Sequence, residues 1–271
     1  MAKTILITGA TDGIGLETAR LLAAAGHTVL LHGRSATKLA TVEATLAALP
    51  GAGRVESFLA DLARLDEVDA LADAVTARHP RLDVLINNAG VFRTPDPLTA
   101  DGMDVRFVVN TLAPYRLTQR LLRLLGPDGR IVNLSSAAQA PVDIAALTGG
   151  ATLDPGAAYA QSKLALTMWT QHLAQSLGAD GPVVVAVNPG SLLASKMVRE
   201  GYGIPGKDIG IGADILVRAA LSDEFATASG QYFDNDSGRF ADPHRDALDP
   251  LKVAAVVGAI ETCLTAARSN S

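Results

Sequence analysis

Six apolar runs punctuate the chain: TILIT (4–8), TVLLHG (28–33), RVESFLA (54–60), DVLIN (83–87), GRIVNLS (129–135) and PVVVAVN (182–188). Between them lie Ala- and Leu-rich stretches of helical pattern at 13–25, 35–48, 64–78, 104–125 and 157–177. Short runs with few polar positions are buried on both faces, which a parallel sheet between two helix layers provides. The alternation predicts a doubly wound α/β fold. GQYFD (230–234) adds a strand, for a mostly parallel sheet of about seven strands with helices on both faces, and 249–268 reads as a closing helix. With no linker and no internal repeat, residues 1–271 are expected to form one domain. Two long connections, near 137–156 and 190–212, interrupt the alternation and read as functional loops or lids, with packed surface insertions as the alternative.

Bulk properties exclude several function classes. A formal net charge of −5, with no run of basic residues, argues against a nucleic-acid surface. Cys263 is the single cysteine, so neither a disulfide framework nor a cysteine-based zinc site is available. MAKTILITG has an apolar core of only ILI and does not read as a signal peptide. Apolar stretches such as VAAVVGAI (253–260) are too short to span a bilayer. A cytoplasmic protein without membrane contact is expected.

The first strand runs into Gly9, Gly13 and Gly15 and then into a helix. Glycines there permit a tight turn and close backbone approach, and a helix N-terminus presents free N–H groups to a pyrophosphate. The spacing differs from G-x-G-x-x-G, and a structural turn is the simpler reading of the glycines alone.

In chain order follow DL (61–62), NNAG (87–90), Asn110 in FVVNTLAPYRLT, IVNLSS (131–136), YAQSK (159–163) and NPG (188–190). Together with TGATDGIG (8–15), these motifs resemble the short-chain dehydrogenase/reductase family over essentially 1–235. The glycine spacing resembles its compact, single-domain branch. The resemblance implies a Rossmann fold and an oxidoreductase that interconverts a carbonyl compound and an alcohol by hydride transfer.

Tyr159 and Lys163, four apart, share one helix face. A phenol of pKa near ~10 needs a neighbouring cation to exchange protons at neutral pH. The resemblance assigns Tyr159 as general acid or base and Lys163 as the group that depresses its pKa and holds the nicotinamide ribose. It assigns Ser136 to the substrate oxygen, with Ser135 as the alternate, and Asn110 to a water that relays protons to Lys163. Ser136 and Tyr159 stand 23 apart, longer than the compact branch's usual spacing and similar to relatives resembling retinol dehydrogenases.

The resemblance implies a dinucleotide held by Gly9, Thr11, Asp12, Gly13, Ile14 and Gly15, with Asp61 and Leu62 near the adenine and Asn88, Ala89 and Gly90 along its ribose. Pro189, Gly190 and Ser191 follow near the nicotinamide. Ala194 stands where the family often has a threonine, and Ser195 is the expected substitute. At the end of the second strand an acid would select a ribose 2′-OH; this chain has Gly33, then Arg34 and Ser35. A guanidinium without a nearby carboxylate fits a 2′-phosphate, so NADP is expected, with NAD as the alternative.

No metal is expected: read as a calcium loop, 234–246 has Arg239 and Arg245 where Gly and Glu are required, and a solvated polar loop is the simpler reading. Val142, Ile144, Leu147, Leu192, Leu193, Met197, Tyr202 and Ile204 in the long loops suggest a hydrophobic small-molecule substrate, although packing explains them equally well. By resemblance, a homodimer or homotetramer would pair through the helices holding Asn110 and Tyr159. The competing functions are an NADP-binding redox sensor, which commonly loses the tyrosine or lysine, and a sugar-nucleotide epimerase or dehydratase, which the glycine spacing disfavours.

Overall fold

A computed structural model describes residues 1–194 and 203–269. Its strands are β1 (Thr4–Ile7), β2 (Thr28–Gly33), β3 (Val55–Leu59), β4 (Leu82–Asn87), β5 (Leu125–Leu134), β6 (Val183–Asn188), β7 (Tyr232–Asp234) and β8 (Arg239–Ala241). They form one sheet in the order β3-β2-β1-β4-β5-β6-β7-β8, parallel except for the antiparallel β7–β8 pair. The expected sheet of about seven strands therefore gains an eighth, a three-residue edge strand inside the segment expected to be a solvated loop.

The helices are α1 (Gly13–Ala24), α2 (Ala36–Ala47), α3 (Leu65–Arg78), α4 (Val105–Phe107), α5 (Ala113–Leu121), α6 (Ile144–Leu147), α7 (Pro155–Leu177), α8 (Gly210–Leu221) and α9 (Pro250–Ser269). Between α4 and α5 the chain stays helical but widens into a π-helical stretch, Val108–Leu112. The loop expected at 190–212 ends earlier, because α8 begins at Gly210. A helix opening GIGAD carries the glycines of the stretch before it, which hides its start.

Side-chain alternation explains the uniformly apolar strands. Leu6, Leu30, Leu85, Ile131 and Val184 join one core with α3, α5, α7 and α9. Ile5, Ile7, Val29, Leu31, Val84 and Ile86 join the other with α1, α2 and α8. Strand order reverses between β1 and β4, and a crevice opens there beyond the strands' carboxyl ends.

The closing helix departs from the reading of its apolar run. Pro250–Ala267, with mean hydropathy 1.4, is long and apolar enough to cross a membrane by length and composition. In the structure α9 packs on α7 and buries Val253, Val256, Val257 and Ile260. Tyr115 Oη donates to Glu261 Oε1 at 2.8 Å, and Arg116 donates to Leu264 O at 3.2 Å. These contacts place α9 over the helices through which a homo-oligomer was expected to pair.

Candidate active site

A cleft of about 770 Å³ runs along the carboxyl ends of β1 to β6. At its floor the three glycines separate into two jobs. Gly9 and Gly13 hold φ of 66° and 58°, the left-handed region that glycine tolerates. Gly15 serves packing: a Cβ there would stand 2.4 Å from Gly9 O and from Asn88 Nδ2. Asp12 caps α1, its Oδ1 accepting from Gly13 N–H at 2.7 Å, and the first turn of α1 carries no acidic residue. Thr11 and Ile14 complete this part of the lining.

Asn88 pins β4 to β1, its Nδ2 donating to Thr8 O at 2.8 Å and Gly9 O at 3.1 Å. Its amide nitrogen is therefore occupied within the protein, and Asn88, Ala89 and Gly90 all line the cleft. Arg34, Ser35, Asp61 and Leu62 line the far end. Ser35 Oγ caps α2 by accepting from Lys38 N–H at 3.4 Å, and Asp61 Oδ1 accepts from Ala63 N–H at 3.0 Å.

Two residues that sequence reasoning passed over stand in this lining. Lys38, in the first turn of α2, adds a second cation to the lining that includes Arg34. His32 is the polar member of an apolar strand, and that is its only signal in the sequence. Its Nδ1 accepts from Gly9 N–H at 3.2 Å, which leaves Nε2 to donate to Ala60 O at 3.0 Å. Burial pushes its pKa down to about 4, so the ring is neutral at physiological pH.

At the other end α7 carries Tyr159 and Lys163. The Tyr159 ring lies against Phe92, centroids 5.2 Å apart, and Lys163 Nζ is 5.8 Å from the Tyr159 ring centre. Lys163 is buried at the cleft wall and donates to Leu134 O at 2.7 Å; burial pushes its pKa down to about 8. Asn110 sits in the π-helical stretch, where departures from α-helix commonly mark function. Its Oδ1 accepts from Val91 N–H at 2.8 Å, and its Nδ2 donates to Val91 O and to Ser162 Oγ, each at 3.0 Å. Ser162, a further residue the sequence reading missed, donates onward to Tyr159 O at 2.7 Å. Asn110 and Lys163 meet across Gly90, where a Cβ would stand 3.4 Å from Asn110 Oδ1 and from Lys163 Nζ.

The serine pair divides. Ser135 lines the cleft, but its buried hydroxyl bonds Thr167 Oγ1 at 2.7 Å. Ser136 is half-exposed and is not among the cleft-lining residues; its Oγ accepts from Ala138 N–H at 3.1 Å, which leaves its own proton available. Pro189 lines the cleft, whereas Gly190 and Ser191 are not among its lining residues. Ser195, Met197 and Tyr202 fall outside the described residues. Of the loop side chains expected to favour a hydrophobic substrate, Leu147 and Leu193 are buried in the protein, while Ile144, Leu192 and Ile204 are exposed.

Residues 3–202 match the family model for short chain dehydrogenases. The chain belongs to the short-chain dehydrogenase family. Members of this family in the same range of similarity include human polyprenol dehydrogenase, 33% identical over 86% of this chain and 77% of the relative. Bovine retinol dehydrogenase 12 is 34% identical over 89% of this chain and 80% of the relative. Among solved structures, an uncharacterized protein from Mycobacterium paratuberculosis superposes with TM-score 0.79 at 32% identity, covering 97% of this chain and 93% of that one. A short chain dehydrogenase from Burkholderia cenocepacia J2315 in complex with NADP gives TM-score 0.67 at 32% identity, covering 88% and 97%. As a family member the chain is an oxidoreductase acting on an alcohol or carbonyl group.

Proposed function

We propose that the protein interconverts an apolar carbonyl compound and its alcohol using NADP(H), with Tyr159 as the proton-transfer group. The observation that carries this reading is the buried Lys163 ammonium beside the Tyr159 ring, at the cleft formed where strand order reverses. A buried cation next to a phenol favours the phenolate, as a tyrosine acting near neutral pH requires.

The residues fit a phosphorylated dinucleotide. The N-terminus of α1 lines the cleft with no acid in its first turn, and Arg34 and Lys38 both line the cleft that Gly33, which offers no carboxylate, also lines. Arg34, Lys38 and Ser35 would hold a 2′-phosphate, and the backbone of Ile14 and Gly15 the pyrophosphate, the Gly13 N–H being taken by Asp12 Oδ1. When bound, the reduced nicotinamide supplies a hydride to the carbonyl carbon. Tyr159 gives its hydroxyl proton to the carbonyl oxygen, while the Ser136 hydroxyl donates a hydrogen bond to that oxygen as it gains charge. Lys163 stabilises the phenolate left behind and can return a proton to it. The side-chain amide of Asn110 is taken up by Val91 and Ser162, so a water relaying protons to Lys163 would be held by its backbone carbonyl.

Retention of Tyr159 and Lys163 in one cleft disfavours a purely sensing role, and family membership disfavours a sugar-nucleotide epimerase. The names of the relatives, which are dehydrogenases of polyprenol and retinol, and the apolar wall of Val91 and Phe92 favour an apolar substrate.

The test is nicotinamide absorbance with NADPH or NADH and a panel of apolar aldehydes and ketones, retinaldehyde among them. We expect oxidation of NADPH, and Tyr159→Phe should lower kcat by about 10²- to 10⁴-fold while NADP still binds. Near-normal turnover in that variant would remove Tyr159 from its role.

A further inference from the structure

The segment after β7 is more than a polar loop. Asp234 ends the strand, 235–238 turn, and β8 returns alongside. The tip of this hairpin grips the turn that follows β6. Asn188 Nδ2 donates to Asp234 Oδ1 at 2.8 Å and to Asp236 Oδ2 at 2.9 Å. The Asp236 carboxylate also accepts from Ser191 N–H at 2.9 Å and from the Ser191 hydroxyl at 2.5 Å. Asn235 adds a backbone N–H to Asn188 O at 3.1 Å and its Nδ2 to Pro189 O at 2.9 Å.

The gripped turn is strained. Leu192, directly after Ser191, is the only non-glycine residue with positive φ among the described residues, at 58°. An L-residue stays in that region only where its surroundings impose it. From the other side Lys207 N–H donates to Leu192 O and Ala194 N–H donates to Lys207 O, each at 2.7 Å. The turn is thus held between two sets of contacts, and its Pro189 lines the cleft that also holds Tyr159.

We propose that Asp236 is a positioning residue for the reaction: through Ser191 and Asn188 it holds the 189–192 turn in the shape that walls the nicotinamide end of the cleft. This inference rests on the dinucleotide reading above. Topology confines its effect to one end of the cleft. The turn follows β6, whereas Arg34 follows β2, and β1, β4 and β5 lie between those strands in the sheet. Asp236 should therefore matter for the nicotinamide half of the cofactor and not for the adenosine half.

The experiment titrates the full chain with NADP and with 2′,5′-ADP, a probe of the adenosine end alone. Asp236→Ala and Ser191→Ala should each weaken NADP about tenfold and leave 2′,5′-ADP within about twofold. The double variant should be no weaker than the poorer single one, because both changes remove the same contact. Asp236→Asn, which keeps an acceptor for the Ser191 N–H, should recover part of the loss. Ser191→Ala removes one hydroxyl from a half-exposed turn, so it carries the test if alanine at 236 loosens the hairpin. The proposal is overturned if wild type binds both probes and Asp236→Ala matches it on NADP. Equal weakening of both probes also overturns it, since Asp236 would then be a general stabilising residue. A wild-type protein that binds neither probe overturns the dinucleotide reading itself.

Discussion

Replacing Lys163 by methionine should make the cofactor-free protein more stable at neutral pH while ending its chemistry. An ordinary lysine titrates near 10.5, and burial brings Lys163 down to about 8. At ~1.36 kcal/mol per pKa unit, keeping this ammonium charged costs the folded state about 3 kcal/mol at pH 7. Methionine removes that cost but leaves Leu134 O without the donor that Lys163 supplies at 2.7 Å. A buried acceptor left unpaired costs about 1–3 kcal/mol, so the variant should gain about 0–2 kcal/mol at pH 7. The sign with pH follows from the protons held. Between about 8 and 10.5 the unfolded wild type keeps a proton that the folded state has released, so wild-type stability rises with pH across that window. The variant lacks this gain, and its advantage over wild type should shrink by about 2 kcal/mol between pH 7 and 9.5. Urea unfolding of both proteins at the two pH values measures the difference, in which other titrating groups largely cancel. A difference that is the same at both pH values would refute the account of Lys163. The gain in stability with loss of turnover is the trade expected of a charge kept for chemistry.

Arg34→Ala should weaken NADP by about tenfold to hundredfold, the loss of one charge-assisted pair, and leave NAD unchanged in parallel titrations. An aspartate at Gly33 is a less direct probe, because its Cβ would stand 2.7 Å from Thr11 Cγ2. His32→Gln should flatten the acid limb of the stability curve between about pH 6.5 and 4. In that window the unfolded wild type holds a proton that the folded imidazole, at about 4, does not, so wild-type stability falls as pH falls. Acid titration monitored by circular dichroism checks this, and an unchanged acid limb would contradict the buried-neutral reading.

The central fold was legible because it follows from local pattern. Ile5, Leu6 and Ile7 belong alternately to the two cores, and only a sheet covered on both faces makes such a run apolar throughout. The edge was not legible: β8 has three residues and none of them is buried, so Arg239–Ala241 lacks the apolar run that announced the others. The same division holds in the site. Tyr159 and Lys163 were readable because one helix sets both. Lys38 was missed because an exposed helix lysine has no local mark, and His32 because its partners, Gly9 and Ala60, come from other segments.

The serine pair shows where local pattern stops and tertiary contact decides. The family resemblance points to Ser136, with Ser135 as the alternate. Both serines lie just beyond β5, and there Ser135 is buried while Ser136 is half-exposed. Ser135 turns into the protein, where Thr167 takes its hydroxyl at 2.7 Å. Ser136 is fixed instead by its backbone: Tyr232 Oη donates to Ser136 O at 3.1 Å, and Gln139 Nε2 donates to the same oxygen at 2.9 Å. Tyr232 belongs to β7, so the strand whose tip grips the 188–191 turn also anchors the serine loop. One short, late strand thereby contacts both the serine loop and the turn after β6, and neither contact has a signature within its own segment. That is the physical reason the motifs named the reacting groups but not the structure that aims them.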